Sequence, residues 1–347
     1  MLSISSLKIE LELAGAFESC EAQTWAKAGF LLGCFGVFAW SATFLPIAVT
    51  AALLPLSLMF LVPAAMLAHE GGHGSFSRSP FRNELLLHIL FPLLAGKGAI
   101  YWKFKHNDNH HITPNVVDGD PDLNLWPMAS HAGQYRRSNV ASQWCQRNIQ
   151  GWLLWPLTLG LVWSMRFTSF ATLGRLAREG QVNGAWFADL VCMLAHYVCW
   201  VVLPVAYFGP MAALYYVAIW SLTGPIIAGV FGPAHMGMPM KFGATDPILN
   251  QMETTRNIDL PGILPYMYIG LGNQIEHHLF PEIAHQRMHI AVPIVKRWAE
   301  ASGVEYQTIG WLEGWADMTR YINNAWKIEI PPMAAEIDDV ASIGAAA

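Results

Sequence analysis

No charged side chain occurs between Lys27 and His69, and one membrane crossing needs only about 20 apolar residues, so this stretch predicts two helices. Ser41, Thr43 and Pro46 near its middle supply the reversal, which gives spans at 28–45 and 50–68. A second apolar stretch lies between Asp189 and His235, with His196 as its ionisable interruption. Gly209-Pro210 predicts its turn and gives spans at 190–207 and 211–231. Two further apolar segments, 85–94 and 152–163, lie between these hairpins and must both cross or both not cross if the topology is to close. The first, about 10 residues long, is too short to cross. Both are therefore read as helices lying in the headgroup region, with six spans as the alternative.

Charge orients the hairpins. No Lys or Arg occurs between Lys27 and Arg78, or between Arg178 and Lys241, so all 20 basic residues fall outside the hairpins, on one face of the membrane. The positive-inside rule makes that face cytoplasmic, together with both termini. The expected fold is an all-α integral membrane protein with four transmembrane helices in two hairpins and a cytosolic, mainly helical cap. Its parts are a cytosolic segment at 1–27, a hairpin at 28–68, a cytosolic and interfacial region at 69–188, a second hairpin at 189–232, a second cytosolic region at 233–330 and a flexible, small-residue tail at 331–347. Residues 1–27 hold four glutamates and lack the basic start and apolar middle of a signal peptide. Composition agrees: 54% of the 347 residues are hydrophobic and 13% charged, where a soluble protein carries roughly 25% charged residues. A net charge of -5 by itself excludes little, but the chain lacks the basic excess that nucleic acid demands, so no nucleic-acid partner is expected. Cys20, Cys34, Cys145, Cys192 and Cys199 form no C-x-x-C pair, which argues against a disulfide framework and a thiolate zinc site.

Histidine carries the candidate chemistry. His69-Glu70-Gly71-Gly72-His73 stands where the second span ends, and on a continuing helix positions i and i+4 share a face, so two imidazoles can grip one metal. The same residues satisfy H-E-x-x-H, the zinc metalloprotease pattern in which the glutamate activates water. In His106-Asn107-Asp108-Asn109-His110-His111, an α-helix puts His106 and His110 on one face and turns His111 about 100° away. One segment can then serve two metals, for which a zinc protease has no use. In Gln274-Ile275-Glu276-His277-His278, Gln274 shares its face with the histidine pair, and His235 ends the fourth span as His69 ends the second. A nitrogen-rich, thiolate-free, water-open site suits iron better than structural zinc and leaves zinc, copper and manganese open; two metals with about four nitrogens each match the count.

Of the other histidines, His88, His131 and His196 read as structural, with His196 inside a span able to bond a carbonyl. His285 and His289 repeat the i, i+4 spacing and also read as structural, with a supporting or lipid-facing role as the alternative. The run Asp118-Gly119-Asp120-Pro121-Asp122 reads equally as a solvated turn or as carboxylates that orient metal-bound imidazoles through their distal N–H.

The three boxes, HEGGH, HNDNHH and QIEHHLFP, separated by the expected spans, resemble those of the membrane fatty acid desaturase family over roughly residues 28 to 310. Gln274 and the following Leu279-Phe280-Pro281 are most similar to front-end acyl-lipid desaturases, which place a double bond between an existing one and the carboxyl end. The resemblance implies a non-haem di-iron centre with His69, His73, His106, His110, His111, His235, His277 and His278 as ligands, and Gln274 where many desaturases have a histidine. It implies dioxygen as co-substrate and a membrane lipid or acyl-lipid as substrate. Two departures stand out. No cytochrome b5-like His-Pro-Gly-Gly occurs, so electrons are expected from a separate donor of ferredoxin or cytochrome b5 type, with Lys103, Lys105, Arg136 and Arg137 as its docking face, against headgroup contact as the ordinary role of such charges. Phe231 stands where some relatives carry an amide.

The chemistry points the same way. Taking hydrogen from an unactivated methylene defeats acid–base side chains and calls for dioxygen on a metal pair, with the protein supplying position and dryness. The expected activity is O2-dependent desaturation of a lipid-linked acyl chain held in a tunnel between the hairpins, with Trp102, Trp126 and Trp144 as lining or interfacial anchors. The same ligands serve a hydroxylase or ketolase acting on a lipid, sphingoid base or carotenoid; the distant rival is an intramembrane zinc protease built on His69, Glu70 and His73.

Overall fold

A computed structural model describes residues 3–243 and 246–329; the tail expected at 331–347 lies outside the described residues. The first apolar stretch folds into helices Glu21–Ser41 and Ile47–Met66, and the second of these runs on into Ala68–His73. Among the described residues, three helices are long and apolar enough to cross a membrane: Ile47–His73, Gly184–Phe208 and Met211–His235. They cover the spans expected at 50–68, 190–207 and 211–231. The one expected at 28–45 is shorter. Its helix begins at Glu21 and ends at Ser41, and its opening turns are polar, with Glu21 held by Ser77 and Arg82 and Lys27 donating to the Tyr266 carbonyl. The apolar remainder extends about 21 Å at 1.5 Å per residue, against roughly 30 Å of hydrocarbon. Outward-facing side chains on these helices, among them Phe30, Val37, Trp40, Val191, Val198, Tyr207 and Leu214, are exposed, as expected of a surface solvated by lipid rather than water.

Segment 85–94, expected to lie flat at the interface, does something else. Helix Pro80–His88 passes into a π-helical turn, Ile89–Ala95, and after a break the chain resumes as Ala99–Trp102. The two arms, Pro80–Ala95 and Ala99–His110, meet at 108°, so they form a re-entrant element, or a fourth span if counted as one. Leu86, Leu87, Leu90 and Leu94 are buried in the main core with Leu61, Leu67 and Trp220. The break survives in an apolar setting because distant polar side chains satisfy its backbone. Arg166 donates to the Ala95 carbonyl at 2.8 Å, Ser169 accepts from the Gly98 amide at 2.9 Å, and Asp189 caps the next helix by accepting from Ala99 and Ile100 at 3.0 and 2.9 Å. Gly96 is left-handed (φ +68°), and a Cβ there would lie 2.7 Å from His196. His196 bonds the Leu93 carbonyl and Tyr216, as a structural histidine in a span should. The other segment, 152–163, also breaks, into Gln150–Thr158 and Leu161–Arg178.

The remaining chain builds a helical cap. Leu7 and Leu11 of the Ile4–Leu13 helix pack on Ala291, Val295 and Trp298 of Met288–Ser302. One feature departs from the all-helical expectation: Asn257–Asp259 pairs in parallel with Thr308–Gly310, Asn257 opposite Thr308. These strands are too short to announce themselves by alternation, and Asn257 links them to the third histidine box.

Candidate metal centre

All eight clustered histidines converge. The ring nitrogens of His69, His73, His106, His111 and His277 form one group, those of His110, His235 and His278 another, each within 4.8 Å of its fellows. The division is five and three, not four and four.

Local structure explains the convergence. His69 and His73 occupy one face of Ala68–His73, and this helix needs its two glycines: a Cβ on Gly71 would meet the Asn83 carbonyl at 2.6 Å, and one on Gly72 would meet the Trp102 ring at 1.9 Å. The second box overturns the α-helical expectation that His106 and His110 share a face. Lys103–His110 is π-helical, and the His111 amide bonds the His106 carbonyl, five residues back, at 2.9 Å. In this wider turn i and i+5 align. His106 and His111 therefore share a group, their Nε2 atoms 3.2 Å apart, while His110 serves the other. The third box is anchored by Asn257, whose Oδ1 accepts from the Ile275 amide and whose Nδ2 donates to Glu276. His235 closes the Met211–His235 helix.

The nitrogens fit a cation better than they fit one another. Nε2 faces Nε2 at 2.9 Å between His69 and His106 and at 3.1 Å between His235 and His278. Among the described residues, the buried Nε2 atoms of His73 and His277 have no hydrogen-bond partner. A neutral imidazole has one donor and one acceptor nitrogen, so crowded lone pairs cannot all be answered from within the set, and each unanswered buried group costs about 1–3 kcal/mol. Burial, reinforced by neighbouring imidazoles, holds His111, His277 and His278 well below the usual histidine range, in the neutral form a metal requires.

In the group of three, the opposite nitrogen of each ring is taken. Nδ1 of His110 donates to Asp120 at 3.0 Å, Nδ1 of His278 to the Gln251 side-chain oxygen at 2.9 Å, and Nδ1 of His235 to the Thr254 carbonyl at 3.3 Å. These bonds choose the tautomer that leaves Nε2 free to ligate. Asp120 also accepts from the amides of Asn115 and Asp122, so of the acidic run it is Asp120 that orients an imidazole. Asp122 pairs with Lys105 at 2.6 Å; burial pushes its carboxyl up, but Lys105 and His110 outweigh that and hold it below the usual range. Gln251 and Thr254, on and just beyond Pro247–Glu253, escaped the sequence reading because neither belongs to a histidine motif.

Gln274 is buried and donates to the Leu271 carbonyl at 2.7 Å. Glu70 belongs to neither group: it accepts from the His285 amide and ring and from Thr24, so the base required by the protease reading is committed elsewhere. His285 also meets Lys27 at 3.2 Å, and His289 is exposed. His88 faces Glu84 and Asp189, and His131 caps the helix Ala132–Arg137. Of the basic residues, Lys103 pairs with Glu84, Lys105 with Asp122 and Arg136 with Glu329, while Arg137 makes contacts of its own.

An enclosed, largely apolar cavity of about 60 Å³ abuts the larger group; its walls include His69, Phe231, Trp102, Trp220 and Ile227. Trp102 packs against His69, His73 and His106 with ring centroids 5.5, 5.5 and 4.9 Å away. Phe231 lies 6.1 Å from His69. Trp126 and Trp144 are 84% and 60% exposed and are not in the wall of this cavity.

The sequence model of the family described as fatty acid desaturase matches residues 23–310. Similar proteins include the Delta(5) fatty acid desaturase fat-4 of Caenorhabditis elegans, 25% identical over 75% of this chain and 60% of its own length. The sn-1 linoleoyl-lipid 6-desaturase of Arthrospira platensis is 25% identical over 69% of this chain and 67% of its own. The acyl-lipid (7-3)-desaturase of Rebecca salina is 28% identical over 82% and 66%. The chain thus spans roughly three-fifths of such relatives.

Proposed function

The chain belongs to the fatty acid desaturase family, and we propose that it carries out O2-dependent desaturation of a lipid-linked fatty acyl chain, front-end on a chain already unsaturated. The observation that carries this reading is the set of eight histidines in two nitrogen groups beside an enclosed apolar cavity. Two non-haem irons held by His69, His73, His106, His111 and His277 and by His110, His235 and His278 would supply, with dioxygen and two electrons, the oxidising power to remove two hydrogens from adjacent methylenes. Water and an unsaturated chain are the products. Similarity to Delta(5), 6- and (7-3)-desaturases supports the front-end assignment.

The protein's own groups do the positioning. Trp102 and Phe231 make a dry wall over the larger group, so the methylenes presented there meet no competing water. Met66 and Met165 also line the cavity and are flexible enough to part for a chain. Asp120, Gln251 and the Thr254 carbonyl keep three imidazoles aimed, with Nε2 of each turned inward. We further place four crossings in the membrane, the histidine ends of the spans, the cap and both termini in the cytoplasm, and a separate ferredoxin or cytochrome b5 type donor docked on that face, where Arg136 and Arg137 are exposed and Lys103 and Lys105 less so.

The test is expression in a host of defined lipid composition fed monounsaturated and diunsaturated acids. A product lacking two hydrogens, with the new bond located by derivatisation on the carboxyl side of the old one, is the expected result. A product heavier by one oxygen establishes a hydroxylase instead.

A further inference from the structure

Lys97 is the only Lys, Arg, Asp or Glu among the residues that line the apolar cavity beside the larger histidine group. It sits in the break of the re-entrant element, between left-handed Gly96 and the close-packed Gly98. Among the described residues its ammonium has no hydrogen bond and no ion pair; it lies over the Phe91 ring at 4.5 Å and 5.7 Å from the centre of Trp102. The acid nearest in effect, Asp122, is spoken for, since it pairs with Lys105 and His110. A cation facing an apolar cavity without an oxygen partner is unfavourable unless something that enters the cavity brings one.

We propose that Lys97 determines where the double bond falls: its ammonium donates a hydrogen bond to the ester carbonyl oxygen of the bound acyl chain and so fixes the count of carbons from the carboxyl end. This rests on the desaturase reading above. Three observations carry it. The cavity offers one charged donor, the only group in its wall that holds an ester oxygen by a charge-assisted bond. The donor is close to the metal ligands: its 5.7 Å to Trp102 and that ring's 5.5 Å to His69 place it no more than about 11 Å from the His69 ring. An extended chain advances roughly 1.2 Å per atom, so a carbonyl held there leaves only about nine carbons before the ligands. The rest of the wall, running along the Met211–His235 helix from Phe231 through Ile227 to Trp220, is apolar except for Thr223, whose hydroxyl is spent on the Ile219 carbonyl at 2.8 Å, and once Met66 and Met165 part it suits the methyl-directed part of the chain.

The experiment compares wild type with Lys97→Met, Lys97→Gln and Lys97→Arg in the full chain. Two readouts are taken: the position of the new double bond in a fed host, and equilibrium binding by purified protein of methyl oleate against a matched alkene without the ester. Expected are one bond position in wild type, a spread of positions in Lys97→Met and Lys97→Gln with KM raised about 10- to 100-fold and kcat changed much less, and a single position, retained or moved as a whole, in Lys97→Arg. Wild type should prefer the ester over the alkene, and Lys97→Met should not. An unaltered bond position with unaltered ester preference in Lys97→Met and Lys97→Gln overturns the proposal while leaving the desaturase reading intact. If wild type makes no unsaturated product, the desaturase reading fails, and ester preference lost with the ammonium still decides whether Lys97 binds the carbonyl. Should Lys97→Met be recovered unfolded, as judged by its thermal midpoint, the Gln and Arg variants carry the same comparison.

Discussion

Gly72→Ala adds one methyl group to the first histidine box, and the structure says where it goes. The Cβ would stand 1.9 Å from Cζ3, 2.4 Å from Cη2 and 3.0 Å from Cε3 of Trp102. Ordinary contact begins near 3.4 Å, so helix and ring must separate by about 1.5 Å. Trp102 is 5% exposed and has little room to retreat, since its ring is wedged among Phe91, His69, His73 and His106. Whichever side yields, nitrogens of the larger group move. Overpacking of this kind costs roughly 1–3 kcal/mol, partly offset by the gain of up to about 1 kcal/mol from replacing a helical glycine by alanine. The effect on chemistry is larger, because a misplacement of about 1 Å at a reacting centre costs on the order of 100-fold.

The expected result is therefore a protein that inserts and melts within a few degrees of wild type, yet turns over about 100-fold more slowly and holds less iron. Gly33→Ala and Gly36→Ala supply the control, because nothing lies within 4 Å of a Cβ at either position; both should behave as wild type. Adding Trp102→Phe to Gly72→Ala removes the ring atoms that collide and should recover part of the iron content, a coupling that independent sites would not show. Wild-type turnover and iron in Gly72→Ala would refute the packing account of the box.

Asp120→Asn keeps an acceptor for His110 but loses the carboxylate charge, and should lower turnover or iron affinity about 10- to 100-fold, measured by metal titration of chelated protein. His110→Ala and His278→Ala each remove a ring from the group of three and should abolish turnover without disturbing membrane insertion; wild type should carry about two irons per chain by elemental analysis. For the topology, single cysteines at Val140 and Met211, which are 84% and 47% exposed, should label from opposite sides of the membrane in a cysteine-free background. Labelling of both from one side would sink the orientation.

Sequence patterns resolve what is local and repeated. Three of the spans are visible because an apolar run is its own signal, and eight histidines stand out by spacing alone. The helix Glu21–Ser41 is less legible because its polar opening turns, tied to Ser77, Arg82 and Tyr266, consume length that the apolar run alone counts as membrane. The re-entrant break was hidden for another reason: what stabilises it, Arg166, Ser169 and Asp189, lies 71 to 90 residues away in the chain. Gln251 is likewise a lone amide with nothing in its neighbours to mark it, yet it orients His278 and also donates to the His111 carbonyl. Asp120 could not be singled out from Asp118 and Asp122, since only the fold decides which carboxylate meets an imidazole.

The π-helical second box is where spacing misled most and where a single change tests the correction. Adjacent residues His110 and His111 serve different nitrogen groups because the turn between His106 and His111 holds one residue more than an α-turn. The backbone at 110–111 thereby ties the two groups together, and their separation depends on one peptide unit rather than on flexible side chains. Deleting Asp108, which is exposed, should let the segment relax to α-helix. His110 and His111 would then stand three and four residues after His106, both on its face. The group of five would gain a ring and the group of three would be left with His235 and His278. Iron content should fall from about two per chain towards one, with activity lost, while replacing the same residue by alanine, which preserves the count, should leave both intact. If the deletion variant binds as much metal as wild type, the π-helical register is not what divides the histidines.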